Sequence, residues 1–238
     1  MGDFVELLGS GRQHGCHLTY RVQDEAGGIA QALGLAELYC QGVRTLVILG
    51  DNIFLDDLKG LIAESSKRPD HAWITLKRVP DPGRYGVAEI EDHRIKSIEE
   101  KPAKPRSDYA VAGIYIYPPD VFGVIKTLKP SARGELEITD VNRYYLGNNR
   151  LGFSMIDGYW TDAGTLESLA YANQLVFENP HINGLQQPRP ESYVDVKARI
   201  KHDLGNIVFG QRNSPFVLLC GLAPLRELIT EIRLAQSR

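Results

Sequence analysis

The sequence is poor in cysteine, with three in 238 residues and no CxxC pair. Cys16, Cys40 and Cys220 are widely spaced and odd in number, which argues against a disulfide framework and against a zinc site of closely spaced thiolates. No apolar run approaches the roughly 20 residues that a membrane-spanning helix needs. The first residues, MGDFVELLGSG, lack the basic start and apolar core of a secretory signal. We therefore expect reduced thiols and a cytoplasmic protein.

An excess of positive charge is also absent. Lysine and arginine number 27 against 30 acidic residues, which gives a formal net charge of −3. A general nucleic-acid binder needs a basic face to neutralise phosphates, so we expect no nucleic-acid partner and no membrane partner. The hydrophobic fraction of 43% is sufficient for the core of one large domain or two small ones.

What the sequence does contain is an alternation of strand and helix patterns. The periodicity predicts strands at 17–22, 45–49 and 72–79, with helices between them at 29–40 and 56–66. TLVIL at 45–49 is apolar on both faces, which is typical of a strand covered by helices on both sides. The order predicts an α/β fold with a Rossmann-like open sheet.

The second half adds a small β-hairpin at 85–91 and 94–102 and a strand at 109–117. Helices are predicted from 118, over 135–146 and over 166–177, with a strand that runs into a loop at 153–165. After Glu178 the composition changes, and an apolar stripe predicts a last helix near 222–236. We expect a domain over 1–178 and a C-terminal extension of uncertain fold over 179–238.

Two aspartates follow predicted strands. In LVILGDNIF the apolar run stops at Gly50 and presents Asp51, and in GYWTDAGT Asp162 follows a strand. Ligands of open α/β sheets bind beyond the carboxyl ends of the strands, and Mg²⁺ usually binds through one or two carboxylates plus phosphate oxygens. The alternative for each aspartate is a helix cap or a turn. That alternative is weakened for Asp51 because we expect Asp56 and Asp57 to cap the next helix.

Two further stretches can bind ligands. VQDEAGGIAQA places Gln23 and Gly28 between a strand and a helix, where a base or an anion can approach the backbone closely. IEEKP places Glu100 and Lys101 at a strand end, where the acid can accept sugar hydroxyls and the ammonium can bind a phosphate. A plain tight turn and a surface salt bridge are the competing interpretations.

The order of these motifs carries a resemblance to a known family. YRVQDEAGGIAQALGLAE, VILGDNIF, RYGVAEIE, SIEEKP, YAVAGIYIY, RGELEITDVNRYYL and GYWTDAGTLESL together resemble the sugar-1-phosphate nucleotidyltransferases. The resemblance extends from about the first residues to Val176. It implies the nucleotidyltransferase fold, Mg²⁺ as cofactor, and a reaction that joins a sugar 1-phosphate to a nucleoside triphosphate with release of pyrophosphate.

The resemblance also implies roles for individual residues. Asp51 and Asp162 match the magnesium ligands, and Lys101 joins them as a catalytic cation. The positions that match substrate contacts, for the base first and then for the hexose and its phosphate, are Gln23, Gly28, Gly86, Glu100, Lys101, Val111 and Trp160. The GDNIF form and the general likeness favour dTTP and glucose 1-phosphate as the substrates.

One part of the family pattern is not found. Family members open with an apolar strand, a glycine-rich loop with Thr and Arg, and a Lys-Gln-Leu-Leu-Pro segment that cradle the triphosphate. GSGRQHG at 9–15 is a poor candidate, because DFVELLGSGRQHGCHLTY matches a later stretch of the family. We therefore expect the fold to lack its N-terminal strand-loop-helix, to expose central sheet edges, and to associate with other copies, for example as a homo-oligomer.

The missing loop leaves three functional hypotheses open. The first is a nucleotidyltransferase chain that transfers nucleotides poorly by itself. The second is a non-catalytic relative that binds nucleotide sugars or regulates a partner. The third is a metal-dependent glycosyltransferase, which also holds Mg²⁺ with acids at a strand end; the EEKP and GELEITD segments argue against it.

Overall fold

The fold is built on a nine-stranded sheet. The computed structural model describes residues 2–14, 16–179, 207–210 and 216–219. Its strands are β1 (Leu18–Tyr20), β2 (Arg44–Ile48), β3 (Asn52–Phe54), β4 (Ala72–Arg78), β5 (Gly86–Glu91), β6 (Arg94–Glu100), β7 (Tyr109–Tyr117), β8 (Leu151–Met155), β9 (Trp160–Asp162), β10 (Ile207–Gly210) and β11 (Phe216–Leu219). The α-helices are α1 (Gly2–Leu8), α2 (Ile29–Gly34), α3 (Glu37–Cys40), α4 (Lys59–Ser66), α5 (Val121–Ile125), α6 (Ile138–Gly147) and α7 (Leu166–Glu178).

The main sheet is open and mixed. Its strand order is β1-β10-β11-β2-β7-β4-β8, and the β5–β6 hairpin is attached beside β7. Strand β7 runs antiparallel to β2 and β4, whereas β11 is parallel to β2 and β8 is parallel to β4. The structure thus confirms the predicted Rossmann-like mixed sheet with a small hairpin. Helices cover both of its faces, which explains why residues 46–48 of β2 and nearly all of β7 are apolar.

Strand β7 forms the centre of the core. Alternate side chains of β7 belong to two hydrophobic clusters, with Tyr115 and Tyr117 on one face and Ile114 and Ile116 on the other. Helices α2, α5 and α6 pack on the first face, and α4 packs on the second. In the part of the chain that the structure describes, no helix combines the length and the apolar character needed to cross a membrane.

Two local predictions were wrong. The helix expected over 29–40 is divided into α2 and α3, because Gly34, a weak helix former, is followed by tighter bonds from Leu35 and Ala36 to carbonyls three residues back. Asp56 does not cap α4; its carboxylate binds a distant loop, described below, and only Asp57 accepts a bond from the backbone N–H of Lys59. The other helices and strands lie close to their predicted positions.

The edge of β2 differs from the expectation of an exposed central edge. Strand β11 pairs with it in parallel, with Thr45 opposite Val217 and Val47 opposite Leu219, and β10 continues the sheet to β1. The backbone N–H and C=O groups on this side of β2 are therefore paired within the chain and are not free to pair with a strand of another molecule. The division at residue 178 and association into oligomers stay predictions, and the helix predicted over 222–236 lies outside the described residues.

Candidate active site

Asp51 lies in the short turn between β2 and β3, one residue beyond Gly50. Its carboxylate accepts a hydrogen bond of 2.7 Å from the side-chain amide of Asn52, its neighbour. The residue remains open to solvent on one side. The strand end predicted from LVILGDNIF thus places a carboxylate at the carboxyl edge of the main sheet, where a ligand can reach it.

Asp162 lies next to Asp51, although it comes from a different sheet than the sequence suggested. It ends β9, which pairs antiparallel with β3 in a separate two-stranded sheet, with Asn52 opposite Asp162. The backbone N–H of Ala163 donates to the carbonyl of Asp51 at 2.7 Å. Two aspartates separated by 111 residues (162 − 51) in the chain are therefore brought together by one strand pair.

The electrostatics of this pair suit a divalent cation. Desolvation and repulsion from Asp162 raise the pKa of Asp51, and the hydrogen bond from Asn52 only partly opposes this. A cation between the two carboxylates would relieve the repulsion. Within the described residues, no group of three or more His, Cys, Asp or Glu residues is arranged to hold a metal. The two carboxylates of Asp51 and Asp162 fit Mg²⁺, which needs only one or two carboxylates when phosphate oxygens supply the other ligands.

Arg84 and Tyr85 hold the second carboxylate. Tyr85 donates its hydroxyl to Asp162 Oδ1 at 2.9 Å, and the Arg84 guanidinium donates to Oδ2 at 3.2 Å. Burial and the nearby negative charge of Asp162 raise the pKa of Tyr85 to about 12, so its hydroxyl stays a donor at neutral pH. The Tyr85 ring also packs edge-on against Trp160, with 5.2 Å between the ring centroids.

Asn52 connects the strands around the two acids. Its Oδ1 accepts bonds from the backbone N–H of Gly113 at 3.0 Å and from the indole N–H of Trp160 at 2.7 Å. Its amide group donates to Asp51, and the residue is only 3% exposed. A Cβ at position 113 would lie 2.6 Å from the Asn52 amide nitrogen, so only glycine allows β7 to approach this closely.

The residues expected around the hexose form a second cluster at the base of the hairpin. A Cβ on Gly86 would lie 3.2 Å from the Thr139 hydroxyl, 3.5 Å from Glu100 and 3.6 Å from Val111. Glu100 accepts hydrogen bonds from Thr139 and Arg133. Gly86, Glu100 and Val111 are thus brought together, with a carboxylate at the bottom of the cluster.

Two cations border this cluster. The Arg133 guanidinium lies 3.5 Å from Glu100 and makes stronger bonds of 2.9 Å to both oxygens of Glu137. Lys101 follows Glu100 with an exposed side chain and a backbone φ of 41°, a conformation that non-glycine residues seldom adopt. Its N–H donates to the carbonyl of Tyr85 at 3.0 Å, which fixes this turn beside the Asp162 partner.

Gln23 and Gly28 form a third group of contacts. The Gln23 amide donates to the carbonyl of Gly28 at 3.1 Å and to Gln31 at 2.6 Å. Gly28 precedes α2 with φ at 94°, and a Cβ there would meet the carbonyl oxygen of Leu136 at 2.5 Å. Leu136 and Arg133 lie in the same segment before α6. Through this segment, Gly28 is connected to the cluster around Glu100.

Tyr115 lies between the carboxylate pair and the hexose cluster. It is buried at 3% exposure, and desolvation together with the charges of Glu100 and Asp51 raises the pKa of its hydroxyl. Tyr115 is therefore close enough to both acids for each of them to affect its hydroxyl. Residues of this site that the sequence did not single out are Asn52, Arg84, Tyr85, Gly113, Tyr115, Arg133 and Thr139. All seven lie within the motifs VILGDNIF, RYGVAEIE, YAVAGIYIY and RGELEITDVNRYYL that carry the family resemblance.

The fold and the paired acids define a class of protein, and comparisons with known proteins agree. Residues 2–179 match the family model described as nucleotidyl transferase. The chain belongs to this family, which confirms the resemblance found in the sequence.

Within the family, the chain is similar to glucose-1-phosphate thymidylyltransferases. It is 38% identical to the one from Neisseria gonorrhoeae over 87% of this chain and 76% of that protein, and 41% identical to one from Xanthomonas campestris over 79% and 65%. The chain thus spans about two thirds to three quarters of the length of these two relatives.

Solved structures of similar proteins share this fold. A Bacillus anthracis protein assigned as a glucose-1-phosphate thymidylyltransferase, crystallised with a sucrose, is 55% identical with a TM-score of 0.70 over 74% of this chain and 71% of that chain. A UDP-glucose pyrophosphorylase complexed with UDP-glucose is 26% identical with a TM-score of 0.61 over 68% and 66%.

Substitution of Asn52 should loosen the site. Asn52→Leu leaves the N–H groups of Gly113 and Trp160 buried without an acceptor, and we expect a loss of about 3 kcal/mol in the free energy of unfolding. Urea denaturation followed by tryptophan fluorescence measures this loss. The exposed Asn173→Leu is the matched control and should change stability by under about 0.5 kcal/mol. Equal stabilities of the two variants would contradict the bridging role of Asn52.

Asp51→Asn should stabilise the metal-free protein at neutral pH. Since the pKa of Asp51 is raised on folding, the ionised carboxylate is disfavoured in the native state. The advantage of the variant should therefore fade as the pH falls through the raised native-state pKa of Asp51, and it should be absent below the ordinary aspartate pKa, where wild-type Asp51 is protonated in both states. Thermal melts of metal-free protein at several pH values test this expectation, with the hairpin-turn variant Asp92→Asn as control.

Magnesium should make the wild type more stable than Asp51→Asn. At ten times its dissociation constant, a ligand that binds only the native state stabilises it by about 1.4 kcal/mol. We expect Mg²⁺, together with nucleotide, to raise the melting temperature of the wild type and of Asp92→Asn but not of Asp51→Asn. A similar rise in all three proteins would place the metal elsewhere.

Proposed function

We propose that this chain transfers a nucleotidyl group from a nucleoside triphosphate, dTTP, to a sugar 1-phosphate, glucose 1-phosphate. An oxygen of the sugar phosphate attacks the α-phosphorus, the bond from that phosphorus to the β-phosphate bridging oxygen breaks, and pyrophosphate leaves with the electron pair. Support comes from one observation above all: Asp51 and Asp162 lie on neighbouring, hydrogen-bonded backbone segments just beyond the carboxyl end of β2.

The reaction needs charge neutralisation more than proton transfer. A sugar phosphate with a second pKa of about 6 is mostly a dianion at neutral pH, so it attacks without a general base. Mg²⁺ bound by Asp51 and Asp162 would neutralise charge on phosphate oxygens of the nucleotide. Lys101 and Arg133 at the end of β6 are suited to hold the sugar phosphate in line for attack.

The remaining residues are suited to select the substrates. Glu100, oriented by Thr139 and Arg133, can accept hydrogen bonds from hexose hydroxyls above the floor formed by Gly86 and Val111. Gln23 is suited to contact a base, and Gly28 keeps the backbone in place beside it, because a side chain at position 28 would clash with the backbone of Leu136. Trp160 forms a wall beside Asp162. The choice of dTTP rests on the similarity to thymidylyltransferases. None of the contacts described here distinguishes thymine from another base.

A pyrophosphate-release assay tests the proposal. The full chain, supplied with dTTP, glucose 1-phosphate and Mg²⁺, should release pyrophosphate and form dTDP-glucose, and UTP in place of dTTP tests the choice of base. Asp51→Asn and Asp162→Asn should each lower the rate by about 100-fold or more, because the lost charge stabilisation amounts to several kcal/mol. Asp92→Asn should keep the wild-type rate.

Two other results would select the competing hypotheses. Calorimetric binding of dTDP-glucose without any pyrophosphate release would indicate a relative that binds nucleotide sugars and does not form them. Sugar transfer from a nucleotide sugar to an acceptor, without pyrophosphate, would indicate a glycosyltransferase.

A further inference from the structure

We propose that Asp56 and Lys77 are positioning residues that clamp the loop Ile156–Gly158 and thereby hold Asp162 beside Asp51. This inference rests on the proposed role of the two aspartates as metal ligands. Neither clamp residue lies in the site itself. Asp56 follows β3, and Lys77 lies on β4 of the main sheet.

Asp56 accepts hydrogen bonds from the backbone N–H groups of the loop. Its Oδ2 accepts a bond of 2.7 Å from the backbone of Asp157, and its Oδ1 accepts a bond of 2.7 Å from the backbone of Gly158. One carboxylate thus satisfies two successive amides. An asparagine at position 56 offers only one oxygen, so it can satisfy one amide and presents a donor to the other.

Lys77 donates hydrogen bonds to the backbone carbonyls of the same loop. Its ammonium group donates to the carbonyl oxygens of Ile156 at 3.1 Å, Asp157 at 3.1 Å and Gly158 at 2.6 Å. The three donors of a lysine are therefore all used on three consecutive residues. Such charge-assisted bonds are stronger than bonds between neutral groups. Together, the clamp makes five hydrogen bonds to a loop of three residues.

Gly158 is required for this approach. A Cβ at position 158 would lie 2.1 Å from Asp56 Oδ1, well inside the distance that any real contact allows. Gly158→Ala therefore breaks the clamp from the loop side and leaves Asp56 and Lys77 unchanged.

Packing fixes only the first residue of the loop. Ile156 is buried in the second hydrophobic cluster, and its N–H donates to the carbonyl of Leu76 where the chain leaves the main sheet. Asp157, by contrast, is exposed and lines an open cleft of about 320 Å³, and Gly158 has no side chain to pack. For these two residues, the clamp supplies contacts that packing does not.

The loop leads directly to Asp162. Strand β9 begins two residues after Gly158 and pairs with β3 over only three residue positions. A strand pair this short is marginal without support from neighbouring structure. Asp56 is two residues beyond the end of β3, so it ties the start of β9 to the end of β3, whereas Lys77 ties both to the main sheet. The position of Asp162 relative to Asp51 depends on these ties.

Three variants test the proposal in the full chain: Lys77→Met, Asp56→Asn and Gly158→Ala. In each, hydrogen exchange of the amides in 157–163 should become faster than in the wild type, while exchange in β4 and β7 stays unchanged. The dissociation constant of Mn²⁺, measured by electron paramagnetic resonance, should rise about tenfold or more, as is typical when residues that orient metal ligands are removed. Lys77→Arg, which keeps the charge and several donors, should recover most of the affinity.

A separate readout distinguishes positioning from plain stabilisation. Lys67→Met removes an exposed lysine that pairs with Glu64 at the end of α4, and it should change neither the exchange nor the Mn²⁺ affinity. Variants that exchange faster at 157 and 158 but keep wild-type exchange at 160–163 and wild-type Mn²⁺ affinity would overturn the proposal. If the wild type binds no Mn²⁺, the metal role of the aspartates fails, and slow exchange of 160–163 in all three variants would overturn the clamp as well.

Discussion

The site depends on the side chain of Asn52. Through one amide it joins the centre of the main sheet at Gly113, the small sheet at Trp160 and the carboxylate of Asp51. Every group it contacts is on a different element, and a buried amide with such partners tolerates little displacement. The two aspartates can lie close together, despite their repulsion, because this bridge and the strand pair β3–β9 hold their backbones in place.

The arrangement separates a rigid part of the site from a part that can adjust. Asp51 and Asp162 are joined to the paired strands β3 and β9, whereas Arg84 ends a 3-10 helix and Lys101 follows β6, both with exposed side chains. Arg84 pairs with Asp162, one of the two carboxylates proposed to hold Mg²⁺, so a bound metal ion would compete with this guanidinium. Cations that can change partner are suited to a reaction in which negative charge moves from one phosphate to another.

Much of this could be predicted from local patterns. The strand ends at Asp51 and the hairpin before Glu100 follow from apolar periodicity, and the order of motifs identified the family. The contacts of Asp162 could not be predicted, because its partners Arg84 and Tyr85 lie 78 and 77 positions away and no periodicity relates them. Asp56 was assigned to the nearest helix for the same reason: local capping is visible in a sequence, and a bond across 101 positions is not.

The pairing of β2 with β11 has a consequence for synthesis of the chain. Thr45 lies opposite Val217, so neighbouring strands at the middle of the sheet are separated by most of the polypeptide. Contacts of such long range form slowly, and a ribosome must translate past residue 219 before β11 can dock. Until then, the newly made β2 has one unpaired flank, and chaperones or a neighbouring nascent chain have access to it.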